Sequence, residues 1–252
     1  MSQILIGKDI NKSFNEDKNK QKILNNVSIS IESGEFISIM GPSGSGKSTL
    51  MYILSGMDKC DSGSILFHNK DLSSLNVDEL ANIRLSKMGF VFQQPSLLKN
   101  LNILDNIILP SVRLNKKNVK SITNKALSLM KKVGLENLEN RSIAQVSGGQ
   151  LQRAGICRAL MNDPEIIFGD EPTGALNSKS AQEIMDILRY FNKNGTTILL
   201  VTHDAKVAAQ SDKIMFMKDG KIIHALKLSK FDGTNLDDRL KRITQKMHEI
   251  GI

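Results

Sequence analysis

Glu35-Phe-Ile-Ser-Ile-Met40-Gly41-Pro42-Ser43-Gly44-Ser45-Gly46-Lys47-Ser48-Thr49-Leu50 is the stretch from which the fold is read. Residues 41–48 satisfy every fixed position of a G-x-x-x-x-G-K-[ST] loop. The apolar run before the loop predicts a short buried strand. Leu50, Ile53, Leu54 and Met57 then recur at helical spacing. A strand–loop–helix of this kind aims backbone N–H groups at phosphate oxygens, aided by the positive end of the helix. Lys47 is placed to reach the β- and γ-phosphates. Ser48 is placed to offer its hydroxyl to Mg²⁺, and Thr49 to support the α-phosphate.

Four further signals follow in order. Gly89-Phe-Val-Phe92 predicts a buried strand with Gln93 at its end, where a neutral amide can touch a metal or a water without holding a charge. Ser147-Gly148-Gly149-Gln150 precedes a helix over Leu151–Met161. Ser147 is a favoured N-cap, and the two glycines are expected to leave the helix end bare as an anion site. Ile166–Gly169 predicts another buried strand, closed by Asp170, a carboxylate suited to hold Mg²⁺ through water. Its neighbour Glu171 is assigned to polarise the attacking water. The proline at 164 is expected to end the preceding helix and to push Asp163 out of the helical region. Ile198–Val201 predicts a third strand, followed by Thr202-His203-Asp204, with His203 in reach of a γ-phosphate and of Glu171. His68, His224 and His248 are read as plain surface or core residues.

Taken together, these motifs resemble the ATP-binding subunit of ABC transporters over about residues 3–226. The segments match that family's Walker A (41–49), Q-loop (Gln93), signature (147–150), Walker B (Asp170-Glu171), D-loop (Gly174–Asn177) and switch histidine (His203). The resemblance implies an α/β fold: a RecA-like P-loop NTPase core, an antiparallel β subdomain and an α-helical signature subdomain. It implies ATP hydrolysis with Mg²⁺, in a head-to-tail pair in which the signature of one copy completes the ATP site of the other. It also places Phe14 where the family stacks an aromatic on adenine, though Phe14 reads equally as a core residue of the N-terminal sheet. The segment Asp170–Ser178 is similar to the lipoprotein-release, macrolide-exporter and bacitracin-type antimicrobial-peptide group. Asn177 departs from the family's usual D-loop aspartate, Val146 from its usual leucine, and 142–145 lacks the frequent proline.

At 252 residues with 40% hydrophobic content the chain suits one domain with subdomains. We expect a cassette over 1–226, with its helical subdomain at about 95–160, and a helical tail over 227–252. No apolar stretch approaches the ~18 residues of a spanning helix, and the N-terminus lacks a secretion-signal layout. A separate transmembrane permease is therefore expected, with the chain cytoplasmic at the inner face of the membrane. The formal net charge of +8 reads as a solubilising surface, or as attraction to an anionic membrane. With two Tyr and no Trp there is no aromatic platform for nucleic acid, and no nucleic-acid partner is expected. Cys60 and Cys157 read as packing residues. A rival function is a soluble ABC-type ATPase that remodels a protein assembly. Another is force transmission to a membrane sensor without cargo.

Between these motifs, Ile4–Phe36 is expected to alternate short apolar runs with turns, and 15–22 to form a hairpin or loop. Asp219-Gly220 is a hairpin turn signal. The apolar residues between Pro95 and Pro110 suit either core packing or a permease-docking groove. Leu236, Leu240, Ile243, Met247 and Ile250 define an amphipathic helix. Its apolar face fits either its own domain or a partner.

Overall fold

The computed structural model describes residues 2–16 and 19–252. In chain order the elements are β1 (Gln3–Glu16), β2 (Asn19–Glu32), β3 (Phe36–Met40), α1 (Lys47–Leu54), β4 (Ser62–Phe67), β5 (Lys70–Asp71), α2 (Val77–Lys87) and β6 (Met88–Phe92). Then come α3 (Ile103–Leu114), α4 (Val119–Lys132), α5 (Gly148–Leu160), β7 (Ile166–Asp170), α6 (Ser178–Lys193) and β8 (Thr197–Thr202). The chain closes with α7 (Ala205–Ala208), β9 (Lys213–Lys218), β10 (Lys221–Lys227) and α8 (Leu236–Glu249). Two compact units result: Met1–Leu80 with Thr197–Ile252, and Ala81–Thr196.

The first unit carries two sheets. One is antiparallel, in the order β2-β1-β4-β5. In the other, β3 lies between β8 and β9 and is parallel to both, and β10 closes antiparallel on β9. All five residues of β3 and all six of β8 are buried, as strands of a parallel sheet must be when both faces are covered. The second unit pairs β6 with β7 in parallel and surrounds them with helices.

Several expectations need correction. Ile4–Phe36 is not a series of short runs; β1 and β2 are 14 residues each and bend at register shifts, with Asp9 and Asn26 at positive φ. Pairing of β1 with β2 continues to Glu16↔Asn19; of the hairpin or loop expected at 15–22, residues 17 and 18 lie outside the described residues. Met57 is not on α1: the helix stops at Leu54, Gly56 turns at φ 66°, and Met57 is exposed. Asp163 leaves the helix as expected but is left-handed at φ 49° rather than extended.

The tail helix α8 packs onto its own unit. Ile243 is fully buried with Met40, Ala208, Ala209, Ile214 and Phe216, and Leu236, Leu240, Met247 and Ile250 pack around them. A buried guanidinium fixes the helix: Arg239 donates to the carbonyls of Ala209, Ser211 and Ser229 and stacks on Phe231 at 5.1 Å. Two of these carbonyls, Ala209 and Ser211, lie just past α7 and the third, Ser229, just past β10, so one side chain ties α8 to both segments.

Candidate functional site

In the first unit the loop leaves the end of β3. Pro42, Ser43 and Gly44 form its exposed rim, whereas Ser45 and Lys47 are buried. Gly46 sits at φ 96°, and a Cβ there would lie 2.9 Å from the Ile23 carbonyl oxygen, so no side chain fits. Behind the loop, the β9–β10 hairpin turns through Asp219 and Gly220, both at positive φ, as a type I′ turn requires. The Gly220 N–H donates to the Ser45 carbonyl at 3.2 Å. Lys47 folds back so that Nζ donates to the Pro42 carbonyl at 2.8 Å. The hydroxyl of Ser45 is buried with no hydrogen-bond partner, a costly state unless a ligand or water meets it.

The helix that follows, α1, begins without a side-chain cap and without an acidic residue in its first turn. Its first turn directly follows the loop that carries the buried Ser45 hydroxyl, with Lys47 as its first residue. Met40 is in register with Thr202, so Gly41 and the exposed His203 leave neighbouring strands side by side. Asp204 caps α7 by accepting from the Lys206 N–H at 2.7 Å.

In the second unit Phe92 is in register with Asp170, which brings Gln93 and Glu171 off adjacent strand ends. Glu171 is left-handed at φ 48°, a strained conformation for a residue with a side chain. Its carbonyl accepts from the Gly174 N–H at 3.0 Å, closing a turn that keeps this conformation. The Gln93 amide lies against that turn, with Nε2 3.0 Å from where a Gly174 Cβ would stand. Asn177 accepts from the Ser180 N–H at 2.9 Å and caps α6.

Ser147 N-caps the signature helix as expected, but the helix end is not bare, because Gln150 closes the cap. Ser147 Oγ accepts from the Gln150 N–H at 3.3 Å, and Gln150 Oε1 accepts from the Ser147 N–H at 2.8 Å, a reciprocal capping box. The glycines are the first residues of α5 rather than its prelude. Gly149 is packed closely, since a Cβ there would stand 3.1 Å from Ser180 Oγ, which would have to shift slightly; beside Gly148 the nearest atom is 4.0 Å away.

Two functional supports escaped sequence reasoning. Gln152 Nε2 donates to the Phe92 carbonyl at 2.8 Å, and Arg158 donates to the carbonyls of Pro95 and Ser96 at 2.8 and 2.9 Å. The signature helix thus grips the chain on both sides of Gln93. Burial lowers the Arg158 pKa, without discharging a guanidinium. Long polar side chains within an otherwise apolar stretch of helix were the available signal. Asn106, fully buried, likewise binds Leu98, Leu101 and Asn102. Phe14 is exposed, 45%, and so is not a core residue.

A glycine-rich cradle at the end of a buried parallel strand, opening an uncapped helix, defines a nucleotide-binding cassette of the P-loop NTPase class. Residues 24–174 match the family model described as ABC transporter, and the chain belongs to that family. It is 44% identical over 86% of its length to the macrolide export ATP-binding/permease protein MacB of Mannheimia succiniciproducens, of which it spans 33%. It is 41% identical to the bacitracin export ATP-binding protein BceA of Halalkalibacterium halodurans, covering 87% of both chains. Among solved structures, the dimeric post-hydrolysis cassette MJ0796 bound to ADP and Pi superposes with TM-score 0.84 at 40% identity, over 90% of this chain and 100% of that one. Among the described residues no helix is long and apolar enough to cross a membrane.

Proposed function

We propose that the chain is the ATP-hydrolysing subunit of an exporter, acting as a pair of copies on a separate membrane permease. The observation that carries this reading is the loop at 41–49: Gly46 at φ 96°, a buried Ser45 hydroxyl with no hydrogen-bond partner and a buried Lys47, immediately ahead of a helix with no side-chain cap. Residues 41–49 hold the triphosphate of ATP, and Phe14 stacks on its adenine. The cassette proper spans 1–226, with its helical subdomain at about 95–160 and the tail helix appended at 227–252. Residues 147–150 serve the ATP of the second copy, a pairing supported by the dimeric MJ0796 cassette. The macrolide and bacitracin relatives support antibiotic-like cargo and a place at the inner membrane face beneath a permease.

Ser48, Asp170 and Gln93 offer hydroxyl, carboxylate and amide oxygens. No cluster of three or more His, Cys, Asp or Glu among the described residues forms a dedicated metal cage. Each of the three, Ser48 in the first unit and Asp170 and Gln93 in the second, is the kind of oxygen ligand Mg²⁺ takes while it keeps waters and shares substrate phosphates. Bound there, it would neutralise phosphate charge. Glu171 accepts the proton of the attacking water as oxygen bonds to the γ-phosphorus and the bond to the β-phosphate oxygen breaks, leaving ADP and phosphate. The closed 171–174 turn fixes the direction of that carboxylate. His203 donates to the γ-phosphate, and Gln93 responds to its loss.

Glu171→Gln tests the assignment. Hydrolysis is expected to fall by about 10²–10⁴-fold, the range for a lost general base, while ATP binding persists and a dimer accumulates on size-exclusion chromatography. A normal turnover rate in this variant would remove Glu171 from the mechanism.

A further inference from the structure

Lys12 has a buried ammonium that the proposed hydrolysis does not use. Its side chain is 11% exposed, and Nζ lies 2.9 Å from both carboxylate oxygens of Asp58 and 2.6 Å from the Lys59 carbonyl. The same nitrogen stands over the Phe14 ring, 5.1 Å from its centroid. The ion pair is not needed to hold residues 58–62 against β1. Asn11 and Ser13 already do so, through Asp61 N–H to the Asn11 carbonyl at 2.8 Å, Ser13 N–H to Asp61 Oδ2 at 2.8 Å, and Asn11 Nδ2 to Ser62 Oγ at 3.2 Å. What Lys12 adds is a charge held over the aromatic ring, 5.1 Å from its centroid.

We infer that Lys12, anchored by Asp58, is a positioning residue for the nucleobase: it holds the Phe14 ring and draws its π-density toward the ammonium, so that the other face stacks an electron-rich purine. This rests on the reading of Phe14 as the adenine platform. A cation within about 6 Å of a ring centroid is attracted by the ring quadrupole, and the attraction is strongest where the cation is desolvated, as here. The opposite face is left less negative and better suited to a purine. Phenylalanine has no polar edge, so this contact reads the face of the base and not its hydrogen-bonding pattern. Stacking of that kind tolerates any base. The larger purine overlaps more of the ring than a pyrimidine, so the stack favours purines and contributes little to telling adenine from guanine.

The test is calorimetric titration of the full chain with ATP, GTP, CTP and inorganic tripolyphosphate, each with Mg²⁺. Lys12→Met is expected to weaken ATP and GTP about three- to tenfold, CTP less, and tripolyphosphate not at all. Asp58→Asn, which leaves the lysine but frees it, should give the same pattern more weakly, and it carries the test if Lys12→Met does not fold. Lys12→Arg should restore most of the affinity. On a Phe14→Ala background Lys12→Met should change nothing. Equal losses for ATP and tripolyphosphate would overturn the inference, as would unchanged ATP binding in Lys12→Met or Asp58→Asn. If Phe14→Ala itself binds ATP normally, the platform reading falls; if it weakens ATP and Lys12→Met does not, only the role of Lys12 falls.

Discussion

The helix ends at Lys47 and at Gly148 are both assigned to phosphate, yet they are finished in opposite ways. The first has no side-chain cap, no first-turn carboxylate and a buried hydroxyl with no partner. The second closes on itself through Ser147 and Gln150, and Gly149 in its first turn lies close against Ser180. An end beside a buried hydroxyl with no partner is stabilised by a ligand that meets that hydroxyl. An end that carries its own reciprocal cap depends less on a ligand, so it can be joined and vacated in every cycle. The physical contrast matches the division of labour proposed above: one copy retains its nucleotide, the other visits it.

Substitutions at the two ends should therefore separate binding from turnover. Lys47→Ala removes a charge-assisted contact and is expected to weaken ATP binding to the isolated subunit by about 100-fold. Ser147→Arg should leave that binding within about twofold, yet lower steady-state hydrolysis by about 100-fold or more, the scale of a lost transition-state donor. Equilibrium dialysis and a phosphate-release assay read the two quantities. Equal loss of binding in both variants would erase the contrast.

The cradle can also be disturbed from behind. Gly220 donates to the Ser45 carbonyl, and a Cβ on it would lie 2.5 Å from the Ile23 carbonyl oxygen at a φ of 72°. Gly220→Ala must displace the hairpin, the loop or β2. Displacements of about an ångström cost up to ~100-fold where groups must be aligned, and an ATP affinity about tenfold weaker is expected. The capping box of α5 should not respond. Unchanged affinity would mean the cradle holds its shape without the hairpin.

How the two ends differ was only half legible in the residues. The cradle was readable because glycines, lysine and serine stand at a fixed spacing between a continuous apolar run and a helical pattern, and few local structures besides a phosphate loop need all three together. The buried strands β3, β7 and β8 were readable from their continuous apolar runs, and the Asp219-Gly220 turn from its positive-φ residue pair. The capping box was also written in the chain, as Ser-x-x-Gln, but the glycines between drew attention to phosphate and away from Ser147 meeting Gln150. The length of β1 and β2 was hidden because bulges between Gly7 and Lys12 break the two-residue alternation that marks a strand. The left-handed Glu171 and the reach of Gln152 and Arg158 to the Gln93 loop had no local signature, since they depend on what tertiary packing places beside them.

A smaller effect sharpens the self-capped end. Ser147→Ala deletes the acceptor for the Gln150 N–H, and losses of this kind cost about 1 kcal/mol. For a chain of this size the melting temperature should fall by roughly 2–4 °C, as followed by circular dichroism. The shift is expected without nucleotide, because the box is closed when the site is empty. If it appears only with ATP, the cap forms on ligand binding and the contrast with α1 narrows.

The smallest effect asks whether α5 stays docked when nothing is bound. Cys157 lies on its buried face, and burial pushes the thiol pKa from 9.0 up to about 12. The folded state thus keeps a proton that the unfolded state releases. The sign follows: this contribution is fully present below pH 9 and is lost as pH rises from 9 toward 12. One pKa unit corresponds to about 1.4 kcal/mol, so stability should drop by roughly 1 kcal/mol between pH 9 and pH 10. Cys157→Ala should remove that part of the alkaline limb in urea titrations. At pH 8.5, iodoacetamide should modify the half-buried Cys60 well before Cys157, and leaving out nucleotide should not change the order. Rapid loss of Cys157 in the empty subunit would show that α5 loosens without a ligand, so that the signature end, like the cradle, depends on what it binds.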